Sequence, residues 1–186
     1  MNDLVLRAKH WQVFLLLLGP HFLSWYTTDS ITDRVLGFLC AFTLLSWLVL
    51  QSSELLALRP KQDGYSNTWL LIDGFLVLAA WGYSAISEDP NFYISTTGWR
   101  VNGTVGWLFL YVIFAYLHVH WFAASLLQAV ETGQRPDTRK TVLWFLMYFF
   151  WPFGVWFIQP RLNKLLEEAE WEKKALEELG TEKQAS

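Results

Sequence analysis

The chain has 186 residues, of which 53% are hydrophobic and only 17% charged, against roughly a quarter charged in an ordinary soluble domain. Net charge is −3, so the basic footprint expected of a nucleic-acid-binding protein is missing. A single cysteine, Cys40, excludes an intrachain disulfide and a cysteine-based metal framework, and its apolar neighbours mark it as an inert thiol.

Five apolar runs follow one another along the chain. The first, Trp11–Tyr26, contains Pro20, whose ring and missing amide predict a kink. It resembles a secretory leader, but no small-residue cleavage site follows and the bulky stretch from His21 to Tyr26 argues for a retained helix. The second run is Val35–Leu50. Both are short for a bilayer core of about 30 Å, so Val5–Ala8 and Ile31–Arg34 are expected to extend them. The third, Trp69–Ile86, and the fourth, Val105–Val130, are long enough unaided. Trp11, Trp25, Trp47, Trp69, Trp81 and Trp107 lie near the run ends, where an amphipathic ring meets both lipid and water.

The fifth run, Thr141–Ile158, differs from the others. Pro152 and Gly154 interrupt it, and cations lie at both ends: Arg139 and Lys140 before it, Arg161 and Lys164 after it. With the N-terminus inside and four crossings, Arg7, Lys9, Arg59, Lys61, Arg135, Arg139 and Lys140 are cytoplasmic and only Arg34 and Arg100 are outside. If the fifth run crosses, the five tail cations balance the count at 7 to 7; if it enters and returns, the split is 12 to 2. The positive-inside tendency selects the second arrangement. Proline supplies no amide and glycine readily takes positive φ, so the pair predicts a bend.

The expected fold is therefore an all-α membrane bundle of four transmembrane helices, with a broken, re-entrant fifth segment and a cytoplasmic C-terminal helix. Residues 1–160 form the membrane domain and 161–186 the tail. In the tail, Leu162, Leu165, Ala169, Leu176 and Leu179 form one stripe, with Gly180 as its stop. Its seven Glu against five Lys and Arg make it acidic.

Two motifs carry a resemblance. The chain opens with Lys9-His10-Trp11-Gln12 followed by Phe14-Leu15-Leu16, and closes with the stretch from Pro152 to Asn163 that holds Gly154, Gln159, Pro160 and Arg161. It resembles a family of small, uncharacterised polytopic membrane proteins of Bacteroidetes-type bacteria, whose likeness also covers the order of the runs and Ala129-Val130-Glu131. His118 and His120 depart from the apolar or Tyr residues expected there. The resemblance implies a bacterial inner membrane and no particular activity.

Few residues could carry chemistry. Asp73 is the carboxylate within an apolar run, and at membrane depth such a group needs a partner or a function. Val77, Ala80 and Ser84 share its face. His118 and His120, two apart on a helix, point to opposite sides and do not chelate one metal together. Tyr111, Ala115, His118 and Ser125 share a face, so His118 is the candidate to meet Asp73 in a proton relay, against a structural role for each residue alone. No phosphate loop, metal spacing or nucleophile beside a base is present, so no cofactor, no metal and no catalytic residue is expected. Three classes of function remain: a homo-oligomeric, channel-like protein, with the small pairs Gly37/Ala41 and Ala80/Ser84 joining copies; a scaffold whose tail docks a cytosolic protein; and, least favoured, an enzyme.

Overall fold

The computed structural model describes residues 4–27, 30–58, 65–87, 89–95 and 98–185, and in this range the chain is an all-α bundle with one small hairpin. Arg59 and Lys61, part of the charge argument above, lie outside it. In chain order the elements are α1 (Leu4–Arg7), α2 (His10–Ser24), α3 (Ser30–Leu58), α4 (Asn67–Ile86), β1 (Phe92–Ile94), β2 (Trp99–Val101), α5 (Val105–Thr132), α6 (Thr138–Phe149) and α7 (Trp151–Ala185).

Local chemistry sets the boundaries. At the start of α2, Gln12 Oε1 accepts from the Lys9 amide at 2.8 Å, satisfying a donor that the helix leaves orphaned. Ser66 caps α4 through the Thr68 amide, and Asp137 caps α6 through the Arg139 amide. Gly133, at φ +64°, ends α5 with its amide on the Ala129 carbonyl.

Three helices, α3, α4 and α5, are long and apolar enough to cross a membrane, and the bent pair α6/α7 makes a fourth if counted as one span. The expected extension of the second run is present, since α3 begins at Ser30; it also continues through Gln51, Ser52 and Glu54 to Leu58. The first run is different. Val5–Ala8 does not lengthen α2 but forms the separate α1, and the 15 residues of α2 reach only about 22 Å. Pro20 lies inside α2, which continues to Ser24.

The core lies around α5, which packs against α3, α4 and α6. Its second half is buried on nearly every side, with Ala123, Ala124, Leu126, Leu127 and Ala129 among the buried residues beside His120 and Gln128. Leu45, Leu48, Leu70, Val77, Val155 and Ile158 meet it from the other helices. Large apolar side chains such as Phe75, Trp107 and Phe153 are exposed around the outside, as the bilayer as solvent requires. Gly37 and Ala41 are buried within this chain, and so is Ser84, so these small residues close the bundle internally.

The bend in the last segment has another cause than the one expected. Helices α6 and α7 diverge by 119° at Phe150, whose φ of −92° and ψ of 53° end α6. Pro152 falls in the first turn of α7, where its missing amide costs no helical bond. Gly154 does not have positive φ. Instead, a Cβ there would sit 1.7 Å from the Met147 carbonyl oxygen and 2.5 Å from its carbon. Only a residue without Cβ lets the start of α7 lie against the end of α6. Farther on, α7 passes the expected tail boundary and Gly180 without interruption.

These roles separate the two residues experimentally. Gly154→Ala should cost at least about 3 kcal/mol through a backbone overlap that no rotamer relieves, lowering Tm by roughly 6–12 °C. Pro152→Ala should leave Tm within about 2 °C, because the first turn tolerates either residue. Thermal unfolding of the purified protein in mild detergent measures both.

Candidate functional site

Asp73 lies in the second turn of α4 with its side chain 3% exposed. Its two oxygens have different partners on α5. Oδ2 accepts from His118 Nδ1 at 2.5 Å, and Oδ1 accepts from the Tyr111 hydroxyl at 3.1 Å. Tyr111 and His118 are seven residues apart, two turns of helix, and so project from the same side of α5 onto α4. The structure thus brings together three of the four candidate polar residues.

The fourth, Ser84, lies elsewhere. Its hydroxyl donates to the Ile94 carbonyl at 2.8 Å and accepts from the Ile94 amide at 2.7 Å, fastening the β1–β2 hairpin to the end of α4. Three-residue strands have little stability alone; here one buried hydroxyl supplies both bonds that the edge of β1 lacks. His120 faces the other way from His118, as its spacing requires, and bonds the Tyr116 carbonyl at 2.7 Å.

An ionised carboxylate can only accept, so His118 presents Nδ1–H to it. With 32% of its side chain exposed, the imidazole borders a cleft of about 440 Å³ that continues past Trp121 to Ser125 and Tyr65. On the other side of Tyr111 a second cleft, of about 360 Å³, follows the α4/α5 groove through Leu76 and Ala80 to Tyr83 and Asp89 beside the hairpin. Tyr111 borders both. The Asp73 cluster therefore stands where two clefts meet along one helix–helix groove. Asp73, His118 and their shared depth were readable in the sequence; the cleft walls, Tyr65, Trp69 and Trp121, were not, because isolated aromatics of a membrane helix carry no signal of their own.

The closing motif builds no cleft. Gln159 Nε2 donates to the carbonyls of Val5 at 2.7 Å and Ala8 at 3.0 Å. Asn163 Nδ2 donates to the carbonyls of Leu6 and, at 3.2 Å, Ala8. From α3, Glu54 accepts the Leu6 amide at 2.9 Å. These side chains satisfy the backbone ends that a four-residue helix leaves open. Arg161 pairs with Glu131 at 3.0 Å and lies over the Trp144 ring. Pro160 sits inside α7 between these contacts. The opening motif meets the closing one directly, with the His10 ring 4.6 Å from that of Trp156.

Among the described residues no group of three or more His, Cys, Asp or Glu side chains could hold a metal ion. Comparisons with family models, with curated proteins and with solved structures give no match to this chain. Function has to be read from the geometry.

Two outcomes follow. His118→Ala strands a buried carboxylate and should cost about 3–5 kcal/mol, whereas Asp73→Asn/His118→Ala should be less damaging than His118→Ala alone. A double variant no more stable than His118→Ala, by thermal unfolding, would mean that the pair is not coupled. Gln159→Leu with Asn163→Ala removes about 1 kcal/mol per lost bond and should speed tryptic cleavage after Arg7 or Lys9 at least tenfold.

Proposed function

We propose that the chain is a multi-pass protein of a bacterial inner membrane that works as a channel-like homo-oligomer, passing protons or small cations along the α4/α5 groove. In this reading α2 to α5 cross, α6 and the start of α7 enter from the cytoplasmic side and return, and both termini are cytoplasmic. The observation that carries it is the buried Asp73 carboxylate, held by His118 and Tyr111 where the two clefts meet. An ionisable residue at membrane depth, paired and bordering a groove, is the arrangement used for ion and proton pathways. The groove is open along its side, where Trp69 and Phe114 are exposed. A polar pathway facing lipid is costly, and a second copy laid on the groove would enclose it.

A second reading is favoured by the far half of α7, where Trp171, Leu176 and Leu179 are exposed among acidic residues. There the protein is a non-conducting scaffold whose tail docks a cytosolic protein. Two measurements decide. In liposomes, the wild type should dissipate a pH gradient at least tenfold faster than Asp73→Asn at equal incorporation; wild-type flux equal to that of empty liposomes removes the channel. Light scattering corrected for detergent should give an oligomer, and a monodisperse monomer likewise favours the scaffold.

Topology is tested separately. Reporter fusions should be cytoplasmic at Ser186 and exported after Asn102. An exported reporter at Ser186 would make the α6/α7 segment a true crossing.

A further inference from the structure

A further cavity, of about 370 Å³, lies beside the hairpin where α2, α3, α4 and α5 come together, sharing Val112 with the lining of the groove. Its walls come from α2, α3, α4, α5 and the first residue of α7, and Ile94 and Ser95 roof it. We propose that it is a binding site for a neutral, lipid-soluble ring compound carrying a carbonyl or hydroxyl, the chemistry of a quinone head group.

Three features select that class. First, among the described residues no carboxylate, lysine or arginine lines the cavity, so an ionic ligand would lose its hydration without compensation. Second, flat rings form much of the wall: Trp81 from α4, Phe109 and Tyr116 from α5, and Trp151 from the turn between α6 and α7. Such surfaces suit an unsaturated ring better than a flexible acyl chain, whose ordering costs more entropy. Third, the wall has a polar point. The His21 Nδ1 lies 3.6 Å from Cys40 Sγ, an interaction that orients the imidazole and leaves Nε2 to bond a ligand oxygen. A mostly apolar pocket of a few hundred Å³ with a few polar groups, here His21 with Ser95 and Tyr116, is the usual form of a small-molecule site.

Cys40 acts here as a wall and as a partner for His21, in keeping with an unreactive thiol. Ser84 acquires a purpose as well, since its two bonds to Ile94 hold the roof in place. The site uses none of the Asp73 cluster, so it stands or falls apart from the channel reading.

Duroquinone is a suitable probe, because methyl groups at all four ring positions block addition to Cys40. Titrated into the full-length protein in detergent, it should quench tryptophan fluorescence saturably and raise Tm. Ala41→Leu, which fills the cavity from α3, should keep or raise the ligand-free Tm and weaken binding at least tenfold. His21→Leu should weaken it by a similar factor, while Ala79→Leu in the outer groove and Asp73→Asn should leave it unchanged. The proposal is overturned if wild-type quenching does not saturate, or if Ala41→Leu and His21→Leu both bind as the wild type does.

Discussion

The close approach of Gly154 to the Met147 carbonyl is the constraint from which the closing third of the molecule follows. With 1.7 Å between that oxygen and the place a Cβ would occupy, α7 can fold back from α6 only because the residue there is glycine. The turn then lays Val155, Ile158 and Leu162 into the core and delivers Gln159 and Asn163 to the start of the chain. The same turn places Trp151 against the inner cavity. A wider bend would strand the buried Gln159 amide and the half-buried Asn163 amide and open α1 together.

This arrangement explains why the last segment is so polar for its depth. Gln159 is fully buried, which is tolerable only because its amide donates to two carbonyls. Those carbonyls belong to residues more than 150 positions earlier, so the bonds close a loop that takes in most of the chain. Contacts of such separation form after the local helices and are lost before them. The opening and closing motifs are thus two halves of one structural clasp, and their specificity reflects backbone satisfaction rather than chemistry on a ligand.

Hydropathy made the long helices legible, and it failed where polar residues face protein instead of lipid. The second run seemed to stop at Leu50, yet α3 continues because Gln51 and Ser52 are buried in the bundle and Glu54 holds the amide of Leu6. The hairpin was invisible: three residues per strand give no periodicity, and its anchor is a serine hydroxyl ten residues away from its partner. Gly154 was legible as important but not for the right reason, since positive φ can be guessed from a sequence and a close backbone approach cannot. Depth placed Asp73 level with His118; only the rotation of α4 against α5 decides whether they touch, and hydropathy does not encode it.

That rotation also divides the bundle into two chemical environments. On α5, Tyr111 bonds to Asp73 and borders both clefts of the groove, while Phe109 and Tyr116 line the cavity. On α4, Asp73 faces the groove and Val77, one turn on, faces the cavity. An ionisable cluster and a neutral cavity are thus lined by neighbouring residues of the same two helices. Both oxygens of Asp73 are bonded from α5, and none of the cluster's side chains lines the cavity. A helix pair with alternating commitments cannot rotate to improve one environment without spoiling the other. Seen this way, the apolar packing of α4 and α5 serves to fix an angle as much as to supply stability.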